Sequence, residues 1–223
     1  FGQTKGDWYQ GVNSGYHTSF GLLWNWGGSG GGGGRVVRAG IHYDHRSSEK
    51  FKFWSSYGDI EFRVDSGQSG NETAETCNTS AMTITHDGYV QTPKNPYFRA
   101  YNSSSTDRTG VVIWNTTQNN NGNVYDTSTG VFTAPIAGFY WFAFTVKGRA
   151  VGNTVYARAE KSTNGGSNYG GIGPALEFHN DILSAHTTAS FGEYLNVNDK
   201  VRIGSGTNVR VDASNGFSGF LAG

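Results

Sequence analysis

The chain has 223 residues, of which 34 are glycine, four are proline and 14% are aromatic, a composition typical of many short strands joined by turns. Lysine and arginine number 17 and aspartate and glutamate also 17, so charge favours neither nucleic acid nor an anionic membrane as a partner. Cys77 is the only cysteine, which excludes a disulfide within the chain and a cysteine-based metal site, and no apolar run is long enough to predict membrane insertion.

The first 85 residues form a block of predicted short strands. Residues 16–26 alternate between an apolar and a polar face, which is the period of a strand. The glycine tract at 27–34, interrupted by Ser29, lacks the strand-then-helix setting of a phosphate-binding loop, so we interpret it as a flexible or tightly turned loop. Further strands are predicted at residues 37–43, 51–54 and 60–64. Units this short suit a β-rich shaft, or a small sandwich whose hydrophobic faces meet across identical chains.

A polar loop and a hairpin end this block. Residues 66–80 are polar throughout and predict a loop. In residues 81–93, Asp87-Gly88 is a hairpin turn signal between two short strands. Pro93 and Pro96 then end strand pairing and stiffen a short connector.

The stretch from Ala81 to Tyr101 resembles the junction of many bacteriophage tail fibres, where a strand with a glycine turn and a pair of prolines leads into a distal knob. We therefore divide the chain at these prolines. The predicted parts are a β-rich shaft or collar domain at 1–93, a connector at 94–96 and a knob at 97–223.

The most regular apolar segment of the chain runs from Gly138 to Phe144, and its side chains alternate with the period of a strand. One face carries Tyr140, Phe142 and Phe144, and the other carries Phe139, Trp141 and Ala143. Because both faces are apolar, we expect a second sheet to cover one of them and a further layer or another subunit to cover the other.

The rest of the second half also predicts short strands only. They lie at residues 111–114, 155–159, 191–197, 201–203 and 217–221. A helix over 175–189 is conceivable, but the neighbouring Gly173-Pro174 favours a bent strand or a loop. The sequence therefore predicts an all-β fold.

Seven residues of this half fall in place with the signature of the globular head of the complement C1q family, which is also related to the tumour necrosis factors. They are Asn120, Tyr125, Phe132, Gly138, Tyr140, Phe142 and Phe144. Trp114 stands where the pattern usually has phenylalanine, which adds an indole N–H that needs a partner. Residues 195–203 and 217–221 resemble two further strands of the family.

This resemblance implies a C1q-like jelly-roll sandwich that assembles as a threefold trimer with its aromatic-rich sheet at the axis. The second apolar face of the predicted strand at 138–144 fits such an arrangement, because a single copy of the chain would expose that face to water. The predicted trimer core consists of Phe139, Tyr140, Trp141, Phe142 and Phe144.

One dense cluster of candidate metal ligands, His42-Tyr-Asp-His45, lies in the first half. His42 and Asp44 share a strand face while His45 points away, so one chain brings both histidines to one ion only if the strand ends between them. An exposed strand end is the simpler interpretation, although a threefold axis could gather three copies of one histidine or of Asp44. Since no acidic calcium loop is visible, we predict no metal ion and no cofactor.

Hydrolysis of a surface polysaccharide would require two carboxylates with a defined gap between them. Asp59 and Glu61 lie two residues apart, a spacing that the solvent face of any strand produces without a catalytic role. The acidic residues of the knob form no convincing pair, and no nucleophile elbow supports a Ser-His-Asp triad. We therefore predict that the protein is not an enzyme.

Two stretches rich in amides, hydroxyls and glycine, residues 115–123 and 161–171, are the predicted receptor-binding loops. Their chemistry suits sugar hydroxyls or a protein epitope, with the Tyr169 ring as a flat apolar platform. Asparagine, serine and glycine are also what ordinary turns contain, so both stretches equally fit loops without a ligand. The candidate contact residues are Asn164, Asn168, Tyr169, Asn119 and Asn121.

Three functional hypotheses follow. The one we predict is a virion protein, the distal C-terminal part of a bacteriophage tail fibre or spike. It would be a homotrimer that attaches without turnover to a host-surface glycan or outer-membrane protein, with its N-terminal region contacting other tail or baseplate proteins. Because the sequence begins at Phe1 without methionine, we expect it to be part of a longer polypeptide or a processed product.

The two alternatives belong to other functional classes. A secreted C1q/TNF-type trimeric ligand has the same predicted fold, but the sequence contains neither a collagen repeat nor paired cysteines. A purely structural virion protein would use the knob only to drive trimerisation.

Overall fold

The computed structural model describes residues 6–13, 17–24, 36–44, 50–55, 58–64, 79–149, 151–152, 154–179 and 185–223. Up to residue 55 it describes the backbone course of the strands, together with the side chains of Phe53 and Ser55. The chain divides into two compact units, Phe1–Pro93 and Lys94–Gly223. Every described element is a strand, which confirms the all-β prediction, and none of these residues forms a helix long and apolar enough to cross a membrane.

The first unit contains two antiparallel sheets, with strand orders β1-β2-β3-β4 and β5-β6-β7. The strands are β1 (Gly6–Asn13), β2 (His17–Trp24), β3 (Val36–Asp44), β4 (Lys50–Ser55), β5 (Ile60–Val64), β6 (Thr79–Ile84) and β7 (Val90–Gln91). Strands β2 to β5 lie where alternating patterns predict them. Strand β1 lies outside the sequence prediction because its apolar residues, Trp8, Tyr9 and Val12, do not alternate.

The predicted hairpin at Asp87-Gly88 is confirmed. Strands β6 and β7 pair antiparallel, with Thr83 opposite Gln91, and the turn between them is closed by a bond of 2.8 Å from the Gly88 N–H to the Thr85 carbonyl oxygen. Gly88 has a φ of 85°, which a residue with a Cβ rarely adopts. The glycine tract at 27–34 and most of the predicted loop at 66–80 lie outside the described residues, and Thr79 already belongs to β6.

The second unit is a jelly-roll sandwich of eleven strands. They are β8 (Tyr97–Tyr101), β9 (Thr106–Val111), β10 (Thr116–Asn121), β11 (Tyr125–Asp126), β12 (Val131–Thr133), β13 (Gly138–Gly148), β14 (Thr154–Ser162), β15 (Gly170–His179), β16 (His186–Leu195), β17 (Lys200–Val211) and β18 (Gly216–Leu221). One layer has the order β10-β8-β18-β13-β16, and the other has the order β12-β17-β14-β15, with β9 beside β17. Strands β13 and β17 join the layers at one end, where Lys147 lies opposite Arg210.

Strand β13 explains how the sandwich closes. Its alternation places Tyr140, Phe142 and Phe144 in the core, with at most 1% of each residue exposed, while Phe139 and Trp141 face outward with 44% and 42% exposed. The inward aromatic rings pack on one another and on rings of neighbouring strands, such as Phe132, whose centroid lies 5.3 Å from that of Tyr140. The second layer therefore covers only the inward face of β13.

Trp114 is fully buried, and its indole N–H has a partner. Its Nε1 donates to the Asn215 Oδ1 at 3.0 Å, and the ring lies 5.9 Å from the Phe217 ring. The backbone of Trp114 is held by the Tyr125 hydroxyl, which accepts from its N–H and donates to its carbonyl, both at 3.3 Å. Burial raises the pKa of Tyr125 above its usual value, against the effect of the bond to Trp114, so this hydroxyl stays protonated.

Gly173 and Pro174 form a bulge inside β15. On the neighbouring strand β14, Arg158 pairs with Ala175 and the next residue, Ala159, pairs with Ile172. Gly173 and Pro174 therefore have no paired residue on β14. Gly173 has a φ of 64° at this point, and a bulge is one of the few places where a strand accepts proline. The bent-strand interpretation of this region is correct.

Several predicted element types and boundaries change, among them the end of the strand predicted at 191–197, which stops at Leu195. The described parts of 175–189 are strand, in β15 and β16, so the helical alternative is wrong there. The predicted strand at 111–114 is also wrong beyond Val111, where β9 ends, although the Val112 N–H still donates to the Ile203 carbonyl at 2.8 Å. Strand β17 is much longer than the predicted 201–203, because Gly204 and Ser205 still pair with β9 and the pairing resumes at Val209–Val211 after a register shift.

Candidate functional site

The turn between β14 and β15, residues 162–169, contains three of the predicted contact residues and is held by its own side chains. The Ser162 hydroxyl donates to the Asn164 Oδ1 at 2.8 Å and accepts from the Gly166 N–H at 3.0 Å. The same Asn164 oxygen accepts from the Asn168 N–H at 3.0 Å. Asn164 therefore shapes the turn, whereas Asn168 bonds to it through its backbone and leaves its side chain exposed to solvent.

Tyr169 closes this turn and packs against a cation. The Arg202 guanidinium carbon lies 3.6 Å from the centroid of the Tyr169 ring, in a cation–π contact. Burial raises the pKa of the Tyr169 hydroxyl, and the nearby Arg202 charge only partly opposes this effect. One face of the predicted apolar platform is thus occupied by a guanidinium group.

Arg202 links the turn to a charged row across the outer face of β14 and β17. Its Nε donates to the Glu160 Oε2 at 2.9 Å, and the Arg158 Nε lies 3.7 Å from the other oxygen of the same carboxylate. The Glu160 side chain is 16% exposed, against 42% for Arg158. Because two arginines share one carboxylate, the row keeps an excess positive charge.

Glycines beneath this row let the charged side chains lie flat on the sheet. A Cβ on Gly204 would lie 2.6 Å from the Glu160 Oε1, and one on Gly171 would lie 2.8 Å from the Arg158 Nη1. Beside Gly204 opens a shallow cavity of about 370 Å³, and its lining includes Tyr156, Arg158, Glu160, Arg202, Gly204 and Gly206. We call this cavity the arginine groove; its size lies within the range of about 300–1,000 Å³ of small-molecule sites.

The other predicted loop, 115–123, is largely strand. Residues 116–121 form β10, which pairs with β8 through a bulge at Thr117–Asn119. Asn119 is exposed opposite Arg99, while the Asn121 Nδ2 donates to the Asn95 carbonyl at 2.7 Å. Both belong to the other layer of the sandwich, so the two sets of predicted contact residues do not form one patch on a common sheet.

The groove residues Arg158, Glu160 and Arg202 are not among the candidates that the sequence indicates. A partial signal exists, because Tyr156, Arg158 and Glu160 alternate with small apolar residues and so predict a solvent face of β14. Their meeting with Arg202 depends on the register of β14 and β17, which places Glu160 directly opposite Arg202. That pairing between distant segments cannot be read from local patterns.

Comparison with models of protein families shows the family to which the chain belongs. The model of the C1q domain matches residues 97–222. The chain belongs to the C1q domain family. No curated protein sequence matches the chain.

Several solved structures are similar to this C1q domain in fold. The globular domain of zebrafish complement 1qA protein is 20% identical, covers 58% of this chain and 98% of its own, and has a TM-score of 0.43. Murine APRIL at pH 5.0 is 12% identical over 57% of this chain and 98% of its own, with a TM-score of 0.47. The Eiger TNF of S. frugiperda is 6% identical over 57% of this chain and 92% of its own, also with a TM-score of 0.47.

The outer face of the C1q domain's other layer is strongly aromatic. Strand pairing places Trp141 opposite Phe220 and Phe139 opposite Tyr194, and Phe220 in turn lies opposite Tyr97. All five side chains belong to residues that are between 42% and 58% exposed. We call these residues, on four adjacent strands, the aromatic face.

The aromatic face contains only two of the five residues predicted for a trimer core. Phe139 and Trp141 are available to another subunit, whereas Tyr140, Phe142 and Phe144 are buried within their own chain. The reason is the alternation of β13, which sends successive side chains to opposite faces. Whether copies associate through this face stays a prediction.

The candidate metal and carboxylate clusters supply no composite site in the described part of the chain. No three His, Cys, Asp or Glu side chains there are placed to hold a metal, and the side chains of the His42–His45 cluster lie outside the described residues. The Asp59 Oδ1 accepts from the His86 N–H at 2.8 Å, and Glu61 pairs with Arg63 at 3.1 Å. Each of these two carboxylates therefore has its own partner.

Proposed function

We propose that the C1q domain is the receptor-binding knob of a trimeric bacteriophage tail fibre or spike, which attaches to a host-surface glycan or outer-membrane protein without turnover. Domains of this family are binding and ligand domains, a role that is consistent with attachment rather than catalysis. The observation that carries the proposal is the aromatic face, because it provides a surface through which identical copies can associate.

The argument for association starts from exposed apolar area. Monomeric soluble proteins rarely expose a contiguous apolar patch larger than a few hundred Å². The aromatic face combines Tyr97, Phe139, Trp141, Tyr194 and Phe220 on one side of a sheet. Association of three copies through this face would remove these rings from water, at about 25 cal/mol for each Å² of apolar surface buried.

A trimer would also place three copies of each recognition site on one rigid body. Binding at the first site raises the effective concentration of the other two near the cell surface, so weak contacts combine into strong attachment. The exposed Asn168 side chain and the neighbouring arginine groove are the polar surfaces best suited to this role, since they present amide and guanidinium donors on a sheet stiffened by strand pairing.

The phage context is supported by the segment before the domain. The hairpin of β6 and β7 turns at Asp87-Gly88, and Pro93 and Pro96 follow within a few residues, as in the fibre junctions that this stretch resembles. We assign the unit before Pro93 to the shaft or collar, which would contact other tail or baseplate proteins of the virion.

The proposal is tested by adsorption to cells. The purified full chain, fluorescently labelled, is mixed with a panel of bacterial strains, and we expect saturable surface labelling of some strains that unlabelled protein displaces. The variant Asn168→Asp replaces an exposed amide donor with a carboxylate without removing the backbone bond of the turn, and should weaken labelling. If no strain is labelled by an intact trimer, the purely structural role is favoured; binding to animal cells instead would favour a secreted ligand.

A further inference from the structure

We propose that the arginine groove binds the carboxylate of an acidic sugar, so that the receptor is a uronic-acid-type polysaccharide. This proposal rests on the proposed attachment function and names the chemistry of the ligand. The guanidinium groups of Arg158 and Arg202 would hold the carboxylate. The open surface at Gly206 beside Tyr156, which we call the glycine floor, would receive the sugar ring.

The first support is the hydrogen-bonding capacity of the two arginines. Each approaches Glu160 through its Nε, at 2.9 Å for Arg202 and 3.7 Å for Arg158. A guanidinium group has five N–H donors arranged in a plane, so the terminal nitrogens of both groups remain able to bind a second carboxylate. Glu160 therefore positions the arginines without using all their donors.

The second support is the charge around the groove. Lys200 lies two residues before Arg202 on β17, and a Cβ on Gly166 would lie 3.3 Å from its Cδ, so it borders the turn at the same end. Arg158, Arg202 and Lys200 lie near the carboxylate of Glu160 at this end. Asp126 lies two strands away from Arg202, beyond Val131, and Glu177 lies opposite Tyr156 at the other end. An anionic group would bind at the end near the turn.

The third support is the shape of the floor. Gly204 and Gly206 follow Arg202 at outward positions of β17. The Glu160 carboxylate lies over Gly204, and the surface beyond it, at Gly206, is open. The Tyr156 ring borders this space, since a Cβ on Gly206 would lie 3.5 Å from its Cδ1. A flat glycine floor beside a tyrosine ring accommodates a sugar ring, while a compact inorganic anion would leave the floor empty.

The test compares an acidic polysaccharide with its uncharged ester and with a polysaccharide that carries a different anion. Binding of the full chain to polygalacturonate is measured by biolayer interferometry beside its methyl ester, which has the same backbone without the charge, and beside phosphorylated dextran. We expect binding to the free acid, at least about tenfold weaker binding to the ester and to phosphorylated dextran, and weakening as salt is added. Equal binding of acid and ester, equal binding of the phosphorylated polymer, or no binding to polygalacturonate would overturn the proposal.

Two variants locate the site. Arg158→Gln removes a cation that is 42% exposed and has only a long contact to Glu160, and Gly206→Gln fills the floor while all charges remain. Both should bind polygalacturonate about tenfold more weakly with unchanged thermal unfolding. The control Arg149→Gln removes an equally exposed cation that pairs with Asp107, away from the groove, and should bind as the wild type does. If both groove variants bind as tightly as the control, the groove is not the site.

The two proposals can fail separately. Cell labelling that neither polygalacturonate nor Arg158→Gln reduces would refute the acidic-sugar site and leave attachment standing. Binding of polygalacturonate that depends on the groove, without labelling of any strain, would support the site and refute the attachment function.

Discussion

Lys147 and Asp212 form an ion pair of 2.9 Å, between Nζ and Oδ2, at the end of the sandwich where β13 and β17 join the two layers. Both side chains are largely shielded from solvent, with 16% and 13% exposed. Burial alone would raise the pKa of Asp212, but hydrogen bonds from Lys147 and Ser214 outweigh it and lower the pKa to about 2. The pair therefore links the layers by a contact that depends on pH.

The first prediction concerns this carboxylate. Its folded pKa is lower than the ordinary value of 3.8, so its stabilisation is fully present above pH 3.8 and is lost as the pH falls through about 2. We expect Asp212→Asn to lower the free energy of unfolding by about 2 kcal/mol at pH 7, and the difference from the wild type to shrink below pH 4. Urea denaturation of both proteins between pH 7 and pH 3 measures it. A difference that stays constant over this range would contradict the assignment.

The second prediction concerns Trp114, which occupies the usual phenylalanine position of the family signature. Trp114→Phe removes the 3.0 Å bond to the Asn215 Oδ1 and leaves a space in a fully buried region. We expect a loss of about 1–3 kcal/mol in the free energy of unfolding. Chemical denaturation followed by circular dichroism measures it, and an unchanged midpoint would show that neither the indole bond nor the indole volume stabilises the fold.

The third prediction concerns the bulge in β15. Gly173 has a φ of 64°, and a Cβ there would lie 2.8 Å from the Phe191 Cγ. Gly173→Ala should therefore lower the free energy of unfolding by about 1–3 kcal/mol, from backbone strain and displacement of a core ring. Gly170→Ala is the matched control, because a Cβ at that position meets open space. Equal melting temperatures for the two variants would refute the structural role of Gly173.

Local patterns predict much of this fold. The alternation of β13 correctly indicates a strand with a buried face of Tyr140, Phe142 and Phe144, and the Asp87-Gly88 signal correctly predicts a hairpin. Gly173-Pro174 indicates a break in helical structure, and the structure shows a bulge there. These features succeed because they depend on residues adjacent in the chain.

What the sequence does not predict depends on contacts between distant segments. Polar residues at 116–121 have the composition of a loop, yet they pair with β8 as strand β10. The arginine groove requires Glu160 to lie opposite Arg202, forty-two residues further along the chain, and this register is fixed by packing of the whole sandwich. The sequence also predicts the Tyr169 ring as an apolar platform, but the Arg202 guanidinium group covers one face of this ring.

The fourth prediction concerns the aromatic face. Trp141→Ser removes an indole that is 42% exposed, so the fold of the single chain should change little while association between copies is lost. We expect the variant to sediment as a smaller species than the wild type at low micromolar concentration. The control Val151→Ser removes a residue that is 56% exposed elsewhere in the unit, and should leave the mass unchanged. A Trp141→Ser variant with unaltered mass would place the subunit contacts on another surface.

Burial of the aromatic face among three copies is tested by sedimentation equilibrium of the wild-type chain at low micromolar concentration. We expect a mass three times that of the 24.0 kDa chain. A folded species of a single chain mass, with its aromatic face in water, would contradict it.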